Sequence, residues 1–580
     1  MILDAATVPD GTELRADICI VGGGAAGLAL ADALIKAARH LDIILLEAGG
    51  LRFDAAAQAG LVGETAPGSP HPPPHLYRRR GLGGATAIWG GRCVPLDPID
   101  LERRPWVPHS GWPIGWDALA SHYPAAMALC EAGSCEFDAG RALGEGAPPS
   151  IAGFVDPDVV ATRLERFSRP TDFGRSLRAS LAEAPRLRVI CGAEALRLEA
   201  ATRPVTGLQV AGPPGRRFTV RARHYVLATG GLEVPRLLLA SDPSRRGGLG
   251  NEGGALGRYY MCHAEATLGR LRLLPADRPV ALDFETTPDG IYVRRKFDLA
   301  AAALRREGLL STTFRLHYPL IADPAHGIGI LSAMYLVKDV ILPEYRRKLA
   351  TIEQAGRDRL QRGPGFWLGH AGNVVRDGMG VARFGQRWLR RRTFASRKLP
   401  YVVVRSRDGS YPLDVNAEQI PDPANRVSLG AATDRHGIPQ LRVDWRLLPQ
   451  DRDSLLRSMA VVRDAFARSG TGRLDYEVEA LQAIVAAATP VGGHHIGTAR
   501  MSATPADGVV DANCTVHGVP NLHIAGAAVF PTCGHANPTL TIVALALRLA
   551  GHLATLCEAG VATQAKDGAT TPRSVAVAAR

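Results

Sequence analysis

At 580 residues the chain is too long for one simple hydrophobic core, which predicts two or more closely joined domains. The apolar content, 46%, is that of an ordinary globular protein, and the formal charge of +12 comes mainly from arginine, part scattered and part clustered. No nucleic-acid motif accompanies that basic balance, so nucleic acid is not the expected partner. The nine cysteines fall at irregular spacings without a CxxC pair, which predicts reduced thiols and neither a disulfide framework nor a zinc site.

The opening "MILDAATVPDGTELRADICIV" has no charged segment leading into an apolar one, so no secretory signal is expected and a cytoplasmic location fits best. "ADICIVGGGAAGLALADALIKAA" reads as strand, tight glycine turn and helix, with Gly22, Gly24 and Gly27 forming GxGxxG. Such glycines permit the turn, let backbone approach a pyrophosphate and bring helix against strand, while the helix N-terminus offers unpaired N–H groups to phosphate. A second strand, "DIILLEAGG", ends in Glu47, 20 residues beyond Gly27, where a carboxylate can accept from ribose hydroxyls. These features predict a dinucleotide site.

Residues 63–80 are a proline-rich surface loop, and "GLGGATAIWGGR" is a second glycine-rich turn containing Gly83, Gly84, Thr86 and Trp89. Strand-like runs recur at 187–231, ending in "YVLATGGLEVPRLLLAS", and again in "LHIAGAAVFP", which holds Gly526 and Ala527. These late returns to the nucleotide site favour FAD over NAD. Between about 266 and 485 the pattern loosens into mixed strands and helices. Within it the basic stretch 385–398 sets Trp388, Leu389 and Phe394 among arginines, either as a solvated face or as a peripheral-membrane or partner-subunit contact. "LTIVALALRLAGHLATL" carries Arg548 and His552 and reads as a buried helix, not a membrane span.

The expected architecture is an α/β, Rossmann-like FAD domain with a mixed sheet, assembled from separated segments, plus an α+β substrate domain with an antiparallel sheet. The segments are 1–95, 185–265 and 486–557 for the cofactor, 96–184 as a lid or connection, 266–485 for substrate, and 558–580 as a loose tail.

Near the C-terminal end "GGHHIGTARM" sets His494 beside His495. If 492–496 is extended, the two rings point to opposite faces, so one of them meets the cofactor. No third ligand accompanies the pair, and no metal is expected. Asn537 precedes Pro538 and an apolar helix, a pattern that fits an N-cap with proline at N1.

The segments "GGGAAG", "GLGGATAIWGG", "ATGGLEVPRLLL", "GALGRYYM", "EQIPDPANRVSL", "HHIGTARM" and "GHANPTLTIVALALRLA" stand in the order found in the glucose–methanol–choline (GMC) oxidoreductases, which the chain resembles over most of 15–555. The last two are most similar to the subgroup of pyranose oxidase, glucoside 3-dehydrogenases and the fructose dehydrogenase flavoprotein subunit. The resemblance implies oxidation of a sugar, glycoside or polyol CH–OH, with proton removal by a histidine and hydride transfer to flavin N5. It matches the family's His-x-x-Gly-Thr to His494, Gly497 and Thr498, leaves His495 as a bystander, and makes Asn537 the partner at the reacting oxygen. Whether Asn537 caps its helix or binds substrate stays open, with His535 and Cys533 as neighbouring candidates. The resemblance also carries Thr539 to the flavin-facing helix start and Ala195 to the adenine contact. Pyranose oxidase binds flavin covalently through a histidine before the tryptophan; here Ile88 precedes Trp89, so non-covalent FAD is expected. Glu418 and Gln419 either touch substrate or orient their loop. A flavin-containing lyase and the flavoprotein subunit of a membrane electron-transfer complex are the rival readings. Oxygen, a quinone and a cytochrome all remain open as the acceptor.

Overall fold

The computed structural model describes residues 1–580 except 145, 148, 201–203, 214, 242–246, 342–362, 407, 489, 491–492 and 569–580. Its strands in chain order are β1 (Ile2–Asp4), β2 (Glu13–Val21), β3 (Ile43–Glu47), β4 (Glu64–Thr65), β5 (Arg92–Cys93), β6 (Val159–Phe167), β7 (Leu187–Cys191), β8 (Glu194–Glu199), β9 (Gly207–Gly212), β10 (Arg216–Leu227), β11 (Ala264–Leu273), β12 (Glu285–Thr286), β13 (Tyr292–Leu299), β14 (Thr312–Leu316), β15 (Ser410–Ala417), β16 (Arg426–Thr433), β17 (Pro439–Asp444), β18 (Gly472–Asp475) and β19 (Leu522–Ile524).

The first sheet runs β1-β7-β3-β2-β10-β9-β8, with β19 also paired to β10. Strands β1, β7, β3, β2, β10 and β19 are parallel neighbours, whereas β9 is antiparallel to both β10 and β8. It is thus a mixed sheet drawn from separated stretches of chain. Ile18, Cys19 and Ile20 in β2 and Ile43 to Leu46 in β3 are all buried, and helix Ala25–Ala37 packs on both strands. Helix Ala25–Ala37 packs there against the C-terminal helix Thr539–Gly568. The first part of that last helix, Thr539–Ala559, is apolar and long enough to cross a bilayer, but more than half of it is buried inside the molecule. It runs on to Gly568, into the stretch expected to be a loose tail; 569–580 lie outside the described residues.

The second sheet, β18-β11-β15-β14-β13-β6-β5 with β12 on β13, is antiparallel throughout. Strand β6 lies inside 96–184, so that stretch is more than a lid: pairing with β13 makes it part of the second sheet and buries Leu164 and Phe167. Helix Pro449–Ser469 covers one face, where Leu455, Met459, Val462 and Phe466 join Leu268, Leu413 and Phe314 in a single core. Asp451 at N3 of that helix accepts from the Leu448 N–H at 2.8 Å, and Gly470 closes it at φ +62°. A third sheet, β16-β17-β4, ties the stretch after β3 to the β16–β17 hairpin through parallel pairing of β4 with β17.

Candidate active site

One cavity of about 1880 Å³ runs between the two large sheets, from the glycine turn after β2 to the start of helix Thr539–Gly568. At its nucleotide end Gly22 adopts φ +109°, and a Cβ there would lie 2.6 Å from the Ala228 carbonyl oxygen. A Cβ on Gly27 would lie 1.9 Å from the Gly22 oxygen, so Gly27 serves the helix–strand approach without lining the cavity. Gly24 precedes helix Ala25–Ala37 with no side-chain cap and lines the cavity, leaving the first-turn N–H groups for an anion.

Glu47 lines the same end and accepts from the backbone N–H groups of Gly23 at 2.8 Å, Gly49 at 2.9 Å and Gly81 at 2.8 Å. The carboxylate therefore holds three loop segments together. Of its roughly four acceptor positions one remains for a ribose hydroxyl.

Gly83 donates its N–H to the Gly23 carbonyl at 2.8 Å and sits behind the cavity wall, whereas Gly84, Thr86, Ile88 and Trp89 line it. The Thr86 hydroxyl is used internally, donating to Gly83 O at 2.5 Å and accepting from Phe173 N at 3.1 Å. Trp89 Nε1 donates to Thr171 O at 2.9 Å, which fixes its ring beside Ile88. Ala195 in β8, Gly526, Ala527 and Thr539 complete the predicted lining. The buried Thr229 hydroxyl lines this end without a protein partner, so the cradle holds an unsatisfied polar group as well as open helix N–H groups. Together these residues fit a dinucleotide.

At the other end His494 Nε2 lies 3.1 Å from Asn537 Nδ2, and His494 Nδ1 lies 2.8 Å from His263 Nδ1. His263 Nε2 is 3.0 Å from the Gly534 carbonyl. That carbonyl can only accept, so His263 carries its proton on Nε2 and presents a bare Nδ1. Burial lowers the His263 pKa to about 4, keeping the ring neutral. His494 must then donate from Nδ1, and its Nε2 is the basic nitrogen, aimed at Asn537. The chain Gly534–His263–His494–Asn537 thereby assigns the tautomer of the predicted base.

His263 is fully buried, precedes β11 and sits 231 residues from His494; nothing in its local pattern marked it. Asn537 lies just before Pro538, whose carbonyl accepts from Ile542 N at 2.8 Å. Its amide thus stands outside the helix, 3.1 Å from His494 Nε2.

The two adjacent histidines do diverge, although residues 493–495 form no strand and Gly493 has φ +69°. His495 turns to stack on Tyr260 at 6.2 Å between ring centroids and still lines the cavity, so it is not turned out of it. Burial holds its pKa well below the usual histidine value.

Neither His535 nor Cys533 lines the cavity. Lys296 Nζ lies 2.8 Å from His535 Nε2 and 2.8 Å from Asp298. Burial, followed by the Lys296 charge, lowers His535 to about 3. Asp97, Asp298 and His535 converge closely enough to hold a cation, and the Lys296 ammonium already supplies one. Cys533 Sγ accepts from Gln419 N at 3.3 Å, and burial pushes its thiol pKa up. Glu418 forms a buried two-bond pair with Arg104 at 2.8 and 2.5 Å, while Gln419 Oε1 accepts from Cys262 N and Trp445 Nε1. Both orient their loop.

The second sheet presents its polar face to the cavity. Glu265 of β11 stands opposite Asn416 of β15, and Thr267 opposite Asp414; all four line the cavity, as does Arg315 of β14 beside Asp414. The floor is thus rich in groups that bond hydroxyls.

The sequence model described as GMC oxidoreductase matches residues 421–546, the span that contains both His494 and Asn537. Over 93% of its length the chain is 24% identical to paromamine 6'-oxidase of Streptomyces fradiae, covering 91% of that protein. It is 23% identical to the fructose dehydrogenase large subunit of Gluconobacter japonicus, with 93% of this chain and 97% of that one covered. An FAD-dependent oxidoreductase from Chaetomium thermophilum shares the fold at a TM-score of 0.51 and 17% identity, over 94% of this chain and 100% of the other. The motifs in order, the family-model match over the span that holds His494 and Asn537, and the full-length relatives agree in making this chain similar to the GMC oxidoreductases.

Proposed function

We propose that this chain is an FAD-dependent enzyme that oxidises a CH–OH group of a sugar, glycoside or polyol to the carbonyl, with His494 as the base. The observation that carries this reading is the hydrogen-bond chain that leaves His494 Nε2 as the proton acceptor in a cavity shared with a dinucleotide cradle. FAD, held at Gly22, Gly24, the free end of helix Ala25–Ala37, Glu47 and the second glycine turn, supplies the hydride acceptor. With Ile88 beside Trp89, no side-chain nucleophile stands at that position to bond it.

His494 Nε2 takes the hydroxyl proton. Asn537 Nδ2, which donates to that nitrogen without substrate, donates to the reacting oxygen when substrate is present and stabilises negative charge growing there. The ring becomes cationic as it accepts the proton. Its Nδ1–H then makes a charge-assisted bond to neutral His263, stronger than the bond in the resting state. The polar floor of Glu265, Thr267, Asp414 and Asn416 suits a substrate with several hydroxyls better than an apolar alcohol. The relative named paromamine 6'-oxidase fits the same substrate class.

The test is anaerobic mixing of the purified holoenzyme with a panel of sugars, glycosides and polyols while the flavin absorbance is followed. Bleaching by at least one polyhydroxylated substrate and none by simple apolar alcohols is expected. Bleaching by apolar alcohols alone would refute the substrate class, and no bleaching by any alcohol would refute the oxidation.

A further inference from the structure

The stretch from 363 to 400 departs from the rest of the surface. It contains eight Lys or Arg residues against a single acid, Asp377. Helix Pro364–Arg376 turns Phe366, His370 and Asn373 inward and carries Leu368, Ala371 and Val375 on its outer side, at i, i+3 and i+7. Leu368 is 70% exposed and Val375 80%. Helix Gly378–Trp388 follows at once, with Val381, Phe384 and Trp388 half-buried and Arg383 and Arg387 on the opposite side, and exposed Arg390 comes in the next turn. After the π-helical turn Leu389–Thr393, Phe394 stands 80% exposed. A neighbouring outer-face apolar row and basic row, ending in an exposed aromatic ring, are the features of a segment that lies in a bilayer interface.

We propose that this helical outcrop docks the enzyme on an anionic lipid surface. Leu368, Val375 and Phe394 enter the headgroup boundary, and the Arg383, Arg387 and Arg390 row meets the lipid charge. Leu368 and Val375 stand on an outer helix face and Phe394 on the exposed turn beyond, none lining the cavity, which suits a bilayer better than a peptide. The outcrop also adjoins the cavity: Trp388 and Arg392, on its inner side, are among the residues that line it. The docked orientation therefore places that part of the cavity next to the lipid. None of the residues proposed to touch lipid belongs to the cofactor or substrate machinery.

The experiment is co-sedimentation of the full-length holoenzyme with vesicles of phosphatidylcholine alone, or with about a third phosphatidylglycerol, at low and high salt. Binding to the anionic vesicles that weakens with salt is expected. Each arginine near an anionic surface contributes about fivefold, so R383E/R387E/R390E should weaken binding about a hundredfold or more. L368S/V375S/F394S should also release the protein, while FAD content and the melting temperature of both variants stay at wild-type values. No binding by the wild type at low salt, equal binding to neutral vesicles, or retained binding in either variant overturns the proposal. A stable complex with a protein subunit formed through this face without lipid overturns it as well.

Discussion

Replacing His263 with leucine isolates the contribution of tautomer control. The substitution removes the acceptor for His494 Nδ1–H, which at 2.8 Å is a short bond in a buried setting. A buried donor left unpaired costs about 1–3 kcal/mol, and the base can escape that cost by moving its proton to Nε2, where it no longer accepts from substrate. At 1.36 kcal/mol per factor of ten, that corresponds to roughly a 5- to 150-fold loss in kcat/KM with KM little changed. The pH profile carries a second signature. Because the bond to His263 favours the cationic His494 over the neutral form, its loss lowers the pKa of the base and moves the acid limb of kcat/KM to lower pH. Glutamine at 263 supplies both an acceptor for His494 and a donor for Gly534 O, so H263Q should recover at least about tenfold over H263L. The assay is steady-state turnover across pH with the best substrate, with bound flavin quantified for each variant. An unshifted limb and unchanged rate in H263L, or an H263Q enzyme as slow as H263L, would refute tautomer control and leave His263 as packing.

Three further outcomes follow from the same geometry. Asn537→Ala should lower kcat by about ten- to a hundredfold while FAD stays bound, because it removes the donor to the reacting oxygen; unchanged kcat would return Asn537 to a purely structural role. Glu418→Ala strands the Arg104 guanidinium without its buried partner, and about 3–5 kcal/mol of stability should be lost in denaturant melts; a stable enzyme with a raised KM would instead make Glu418 a substrate contact. Burial lowers His71 and His263 to about 4 and His523 and His535 to about 3, so the unfolded chain binds more protons at these four sites as pH falls below 6.5. Asp100 and Asp451, raised to about 7 by burial, act in the opposite direction, but they are two against four. The melting temperature should therefore rise from about pH 4 to 6.5, and a fall across that window would contradict the assignment of neutral buried histidines.

How much of this was legible in the sequence follows from the range over which each feature is encoded. The glycine turn, Glu47 and the two late segments with His494 and Asn537 are local patterns, and the fold places nearly all their predicted residues on one cavity. Gly27 and Gly83 stand behind its wall because close packing and turn geometry, not contact, require them. His263 was invisible: a lone histidine in a loop acquires meaning only when β11 brings it beside a residue 231 positions away. The same holds for Lys296, which claims His535, and for Arg104, which claims Glu418. Strand β6 lies in a stretch that reads as connection because its antiparallel partners, β13 and β5, leave no signature in a single strand. For the histidine pair, the expected divergence is present without the expected strand: the His495 N–H turns back to the Gly493 carbonyl at 3.1 Å.

If His494 takes the substrate proton, His494→Ala must slow reduction of the flavin by substrate. The measurement is the anaerobic rate of flavin bleaching by substrate in rapid mixing, on protein whose bound FAD equals that of the wild type. The expected rate is about a hundred- to ten-thousandfold lower. Bleaching at the wild-type rate would contradict it.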